Sequence, residues 1–373
     1  MVETRQHKLE TKLNALQDKI ASCNLQCTLQ MYNTEPTKLQ NIIMHQKRVY
    51  NNDKDLFKEG RTKIKPSEQL KNNTATNCVT WNQCPRFANQ FVTCDEASKV
   101  TLWDGEKGVP IANDKSSLEL VTCAIEPTNG RLLLAAGIDD KISLFEINKT
   151  SNKKEKTKLI QTKREYNGHA GKVACCGFLN NEYFVTGSFD SAINLWEVEQ
   201  QREIERYDDH QSEVVALDVF KMDGNVFVSG STDLTFRLWD IRQKKACFRK
   251  FMENDCGVST VKFMQENINT IAVGYENSSI EIWDLRALGK VAKLDETDEK
   301  YESVQSLAFS KSGRLLFASY NNSIKIWDLL SESKVGSFGD NVHNEVIKSI
   351  SMNEDGSQLL AAGKCGQISQ WTV

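Results

Sequence analysis

Tyr183-Phe184-Val185-Thr186-Gly187-Ser188-Phe189-Asp190-Ser191-Ala192-Ile193-Asn194-Leu195-Trp196-Glu197 reads as two short strands about a polar turn, and it decides the fold because the same reading recurs along the chain. Ile193 and Leu195 alternate with Asn194, the period of an extended segment with one buried side. A third strand over 173–178 precedes the pair, so one unit holds strands at 173–178, 183–188 and 192–197 separated by polar turns. Working outward, an aromatic closes the same pattern at Trp103, Phe145, Trp196, Trp239, Trp283, Trp327 and Trp371, at intervals of 42, 51, 43, 44, 44 and 44 residues. Self-similarity at such a period means copies of one unit that bury their faces against their neighbours. The long interval has a visible cause in 148–163, a Lys-, Thr- and Asn-rich insertion that reads as an enlarged surface loop.

Seven strand-rich units imply an all-β, seven-bladed β-propeller in which each aromatic fills the space between one blade and the next, where a small residue would leave a cavity. The last unit stops at Trp371-Thr372-Val373, just after its third strand. Closed β-architectures leave no open edge, so a fourth strand is expected from the segment before the first unit, near 60–66, where Arg61-Thr62-Lys63-Ile64-Lys65 alternates in strand fashion.

Formal net charge is -3 with 39% apolar residues, so the overall balance carries none of the basic footprint of a nucleic-acid-binding protein. No apolar run reaches signal-peptide or membrane-spanning length, which predicts a soluble intracellular chain. The eleven cysteines lack the paired CxxC spacing that tetrahedral zinc prefers and read as buried free thiols, with no metal or other cofactor and no disulfide framework expected.

Ahead of the repeats, Leu9, Leu13, Leu16, Ile20, Cys23 and Cys27 are spaced 4, 3, 4, 3 and 4 residues apart, a heptad seam on a coiled-coil α-helix that Asn33-Thr34-Glu35-Pro36 ends. A stripe this narrow needs a cover worth about 1.5–3 kcal/mol per Leu or Ile, and a partner helix, a second copy or the chain's own propeller could each supply it. The domain plan is therefore helix over 1–34, linker and ring-closing strand over 35–72, and propeller over 73–373. The linker is basic in patches, with Lys47-Arg48, Arg61, Lys63, Lys65 and Lys71, a charge usually just solvated but also suited to an anionic membrane surface.

Trp-Asp at 103–104, 239–240, 283–284 and 327–328, with Gly168-His169 opening the third unit, resembles the WD repeat. In that family a His, a Ser or Thr, an Asp and the Trp form a buried hydrogen-bonded tetrad. The resemblance implies His169, Thr186 or Ser188, Asp190 and Trp196, then His210, Ser229 or Ser231, Asp233 and Trp239. A His beside an Asp is also how enzymes orient a general base. No HExxH, P-loop or nucleophile-elbow pattern accompanies it, however, and the pairing recurs with the repeat, which favours structure over catalysis and predicts no enzyme activity.

A heptad helix followed by a seven-unit propeller resembles heterotrimeric G-protein beta subunits. Phe309-Ser310-Lys311-Ser312-Gly313-Arg314-Leu315-Leu316, Cys175-Cys176 before Phe178-Leu179, and Leu238-Trp239-Asp240 with Arg242 are similar to that family's sixth, third and fourth repeats. The resemblance implies that Leu9, Leu13, Leu16, Ile20, Cys23 and Cys27 pair with a small gamma subunit, and that one propeller face binds a GDP-loaded alpha subunit and, after release, effectors. It places Lys99, Glu119, Val121, Ile138, Asp140, Lys172, Glu213, Val215, Glu276 and Lys364 on that face. Ile138 stands for a family leucine, Val215 for a methionine, and Glu213 and Glu276 for aspartates. Asn77, Glu119, Lys172 and Lys364 replace aromatics, and Ala75 a lysine, so the surface is rebuilt where binding energy usually concentrates. The chain's end has no prenylation box, and attachment to the inner face of the plasma membrane is expected only through a lipidated gamma subunit, the chain itself being cytoplasmic. A scaffold outside G-protein signalling, such as a ubiquitin-ligase or chromatin adaptor, would use the same fold.

Overall fold

A computed structural model describes residues 66–373 apart from 73, 88, 117–118, 149–158, 244–246, 253, 266, 268, 296–301 and 341. The heptad positions Leu9, Leu13, Leu16, Ile20, Cys23 and Cys27, the run Arg61-Thr62-Lys63-Ile64-Lys65 and most of the 148–163 insertion lie outside the described residues. Among the described residues, 28 strands form seven four-stranded antiparallel sheets, the blades of a β-propeller.

Blade 3 shows how the unit is built. Its inner, second and third strands are Val173–Phe178, Tyr183–Ser188 and Ile193–Glu197, within one residue of the sequence reading, and an outer strand follows at Arg202–Tyr207. Tyr183–Ser188 is buried nearly throughout because its sheet is covered on both sides by neighbouring blades, whereas the outer strand buries only Tyr207. The recurring aromatics Trp103, Phe145, Trp196, Trp239, Trp283, Trp327 and Trp371 are all buried. Several stack on the residue directly across the ladder, as in Phe184 with Trp196 and, with centroids 5.6 Å apart and planes 4° from parallel, Phe227 with Trp239. Each seam is an apolar cluster shared by two blades. Val185 and Leu195 of blade 3, for instance, pack with Val214, Phe227 and Trp239 of blade 4.

Blade 7 consists of Ile347–Met352, Gln358–Gly363, Gln367–Thr372 and, as its outer strand, Pro66–Lys71 from the other end of the propeller sequence. The described closing strand, Pro66–Lys71, corrects the C-terminal bound of the segment expected near 60–66, of which only Pro66 is among the described residues. Proline at the head of an edge strand has no ladder amide to lose. The register repeats that of the other blades. One extra residue lies between Pro66, opposite Trp371, and Glu68, opposite Gln370, just as one lies between Glu203, opposite Trp196, and Glu205, opposite Leu195. A second correction concerns the insertion, whose last four residues, 160–163, belong to the outer strand Ile160–Asn167 of blade 2 and are not loop. No helix among the described residues is long and apolar enough to cross a membrane.

Candidate functional site

Antiparallel pairing sets the start of each inner strand against the end of the second, Leu120 opposite Gly137, Val173 opposite Ser188 and Ile347 opposite Gly363. The turn from second to third strand therefore meets the start of the inner strand at one end of every blade. A recurrent backbone hydrogen bond, amide to carbonyl, joins the two features. Glu96 donates to the carbonyl of Ala75, Ile138 to Glu119, Phe189 to Lys172, Thr232 to Glu213, Glu276 to Gly257 and Lys364 to Val346, at 2.9–3.1 Å. All ten residues assigned from sequence to the binding face stand at this end. Glu119, Val121, Lys172, Glu213 and Val215 lie where inner strands begin, and Lys99, Ile138, Asp140, Glu276 and Lys364 at or beside the turns. Ile138 is 50% exposed, and Asp140, Glu276 and Lys364 are open to solvent.

Every inner strand carries a register shift after its first residue, which leaves Asn77, Val121, Ala174, Val215, Ser259, Gln305 and Lys348 as bulged residues, one per blade. A bulge leaves a residue out of the ladder and re-aims its side chain. Several of these side chains then reach a neighbouring blade. Asn77 Nδ2 donates to the carbonyl of Leu120 at 2.8 Å, Ser259 Oγ to that of Val304 at 2.7 Å, and Lys348 Nζ to Gln305 Oε1 at 3.4 Å. Two members of this set, Val121 and Val215, were assigned from sequence. Lys348 was missed, and its signal was positional, the second residue of its unit's inner strand.

The rigidity of this end comes from the tetrads. Trp196 Nε1 donates to Thr186 Oγ1 at 2.8 Å, the Thr186 hydroxyl lies 2.8 Å from His169 Nε2, and His169 Nδ1 lies 3.1 Å from Asp190 Oδ2. Because Thr186 accepts from the tryptophan, its own proton points at Nε2, and a neutral imidazole donates from Nδ1 to the carboxylate. Blade 4 repeats the chain with Trp239, Ser229, His210 and Asp233 at 2.8, 2.7 and 2.9 Å. The hydroxyl member is thus Thr186 rather than Ser188, and Ser229 rather than Ser231. Ser188 and Ser231 instead brace the turn, donating to the carbonyls of Gly171 and Ser212.

Asp190 is the clamp. Its Oδ1 accepts from the Ala192 amide at 3.0 Å, holding the turn, and its Oδ2 from the Ala170 amide at 2.9 Å, holding the loop that leads into the inner strand. Asp233 does the same through the Thr235 and Gln211 amides. These turns need the help, since Ser191 and Leu234 sit at φ of 68°, a left-handed conformation costly for a residue with a side chain. Burial works to raise Asp190 and Asp233, yet the Ala170 amide and His169 hold the first below the usual carboxylate range, and His210 and Thr235 the second. Burial lowers His169 and His210, outweighing the facing carboxylates and favouring the neutral rings that the network requires. Both nitrogens of each ring are engaged within the fold.

Blade 7 carries a variant that sequence reading missed, although His343 stands 28 residues before Trp371, close to the 27 and 29 of the two tetrads. His343 Nε2 lies 2.7 Å from Ser369 Oγ, which also accepts from Trp371 Nε1 at 2.9 Å. Ser369 pairs with Ala361 across the ladder as Asn194 pairs with Thr186, so the hydroxyl has moved to the opposite strand. Cys365 faces Nδ1 at 3.7 Å where blades 3 and 4 have a carboxylate. Without that anion, burial pushes His343 down to about 4. The unfolded chain takes up a proton near pH 6.5 that the folded chain refuses until about pH 4, so stability falls as pH drops through this window. The expected loss from His343 is about 3 kcal/mol. The drop in unfolding free energy from pH 7 to pH 4.5, read from urea denaturation, should be smaller by about 2 kcal/mol in His343→Gln, and an unchanged pH dependence would overturn the assignment.

Charge divides the face. Lys348 is lowered by burial and then by repulsion from Lys364 and Lys172, so lysines of blades 7 and 3 oppose one another at this end of the ring. Lys172 Nζ also lies 4.8 Å from the centre of the Phe189 ring. Glu119, Asp140, Glu213 and Glu276 supply acidic positions on blades 2, 4 and 5. Such a face, held by backbone clamps and divided by charge, suits recognition of a protein surface.

The repeat family described as "WD domain, G-beta repeat" matches residues 160–197, 201–240 and 293–328. The first two matches join the outer strand of one blade to the first three strands of the next, so each sequence repeat bridges a seam. The chain is 29% identical to a guanine nucleotide-binding protein subunit beta of Arabidopsis thaliana over 296 residues, 76% of this chain and 77% of the relative. It is 22% identical to the subunit beta of Saccharomyces cerevisiae over 70% of this chain and 69% of the relative. It is 25% identical to subunit beta-5b of Danio rerio over 65% and 60%. The chain is a seven-bladed β-propeller, carries three stretches that match the WD repeat, and is similar to G-protein beta subunits.

Proposed function

We propose that the chain acts as the beta-type subunit of a G-protein complex, a non-catalytic platform that pairs through its heptad segment with a small helical gamma-type protein. In this reading the end of the ring where the inner strands begin receives a GDP-loaded alpha-type subunit and, after its release, effectors. The observation that carries the reading is the meeting at one clamped end of all ten residues aligned with the family's binding face. The lysines Lys172, Lys348 and Lys364, where the family resemblance leads one to expect aromatics at 172 and 364, call for an alpha subunit with acidic docking segments. Switch segments that rearrange between GDP and GTP would lose contacts with so rigid a face, which supplies release. Attachment to the inner face of the plasma membrane follows through a lipidated gamma partner.

The test is co-purification with a gamma-type protein followed by binding of alpha subunits in each nucleotide state. At least tenfold tighter binding of the GDP form is expected, with Lys172→Glu plus Lys364→Glu weakening it further at low salt. Equal affinity for the GDP and GTP forms would sink the proposal.

A further inference from the structure

Cys78 on the inner strand of blade 1, Cys94 directly opposite it on the second strand, and Cys123 on the inner strand of blade 2 bring their three Sγ atoms within 4.8 Å of one another. We propose that this trio is a three-sulfur site for a thiophilic closed-shell cation of the zinc, cadmium or monovalent copper type, one that ties blade 1 to blade 2 beneath the docking face.

The geometry is nearly that of a three-coordinate thiolate. At a metal–sulfur distance of about 2.3 Å, three sulfurs around one ion stand about 4 Å apart, so each need move inward by no more than about 0.5 Å. The surroundings select the ligand class. Val92, Val100, Leu102, Leu120 and Leu133 share the cluster with Cys94 and Cys123, and the oxygens near Cys78 are Ser349 Oγ at 3.9 Å and the Cys123 carbonyl at 3.7 Å. Hard cations that want six oxygens find no shell here, whereas soft thiolate donors favour zinc and monovalent copper.

Accessibility runs through one member. Cys94 and Cys123 are buried, and Cys78 is half-buried, so an ion reaches the pair by way of Cys78. Binding of a divalent ion displaces three thiol protons to water and leaves a net charge of minus one. No electron is transferred. Cys78 adjoins the bulged Asn77 and Cys123 lies two residues beyond the bulged Val121, so occupancy would fix the seam directly under two residues of the face.

The test titrates the full chain, held under a phosphine reductant, with Cd(II) and with Cu(I), reading the thiolate-to-metal charge-transfer absorbance and the melting temperature. One ion per chain and a raised melting temperature are expected. Cys94→Ala and Cys123→Ala, each checked for a native strand spectrum, should weaken binding at least 100-fold, and Cys175→Ala, which removes a buried thiol outside the trio, should leave it unchanged. Absence of binding to the folded chain, or binding that survives both trio substitutions, would overturn the site. So would recovery of a Cys78–Cys94 or Cys78–Cys123 disulfide from chain purified without reductant together with no uptake of either ion once reduced, since the trio would then be a redox pair.

Discussion

A chain beginning at Asn72 is expected to unfold about 5 kcal/mol more easily than one beginning at Asp53. The difference between the two is Pro66–Lys71, the outer strand of blade 7, together with the short segment before it. Five cross-strand pairs join it to Gln367–Thr372, and at roughly 0.5–1.5 kcal/mol for each net hydrogen bond the ladder sums to about 5 kcal/mol. That is comparable with the whole stability of many domains, about 5–15 kcal/mol. The third strand of blade 7 would also become a bare edge able to pair with other chains. Urea denaturation of both chains gives the answer, with aggregation of the shorter one as a second sign, and coincident midpoints would mean that the ring holds without its latch.

Trp239→Ala should cost about 3–5 kcal/mol, the price of emptying a large buried aromatic site. Trp239 is stacked on Phe227, packs against Tyr207 with centroids 5.2 Å apart, and feeds the Ser229, His210 and Asp233 chain. The sharper measurement separates volume from polarity. Trp239→Phe removes the Nε1 donor and should cost about 1–2 kcal/mol, because Ser229 loses a partner in a buried network. Trp327 occupies the equivalent position in blade 6, yet its Nε1 finds no acceptor among the described residues. Trp327→Phe relieves a buried unsatisfied donor and should be neutral or slightly stabilising. Equal losses at the two positions would show that the tetrad contributes nothing beyond packing.

Much of this was legible in the amino-acid order, for reasons that differ from strand to strand. The inner three strands of blade 3 could be read because neighbouring blades force an apolar pattern on them, and the buried Tyr183–Ser188 run is the extreme case. The outer strands escaped. Arg202–Tyr207 is largely exposed and Val109–Lys115 nearly all so, which leaves their composition free to look like loop. Thr186 could not be chosen over Ser188, nor Ser229 over Ser231, because residues two apart in a strand share a face. The ring of bulged residues was invisible, since a one-residue shift leaves composition unchanged. The sulfur trio joins positions 78, 94 and 123 across two blades, which no local spacing announces.

The latch that joins Pro66 to Trp371 spans 305 positions of sequence, from 66 to 371. During synthesis the strand made first among these leaves the ribosome long before its mate exists, and it spends the making of six blades with its backbone unanswered. Each early blade can settle against the one before it as it emerges, but the circle is shut in a single late event of very high contact order. The slow step in maturing this protein is therefore expected to be the meeting of the propeller's first and last strands, the first waiting unpaired while six blades are made.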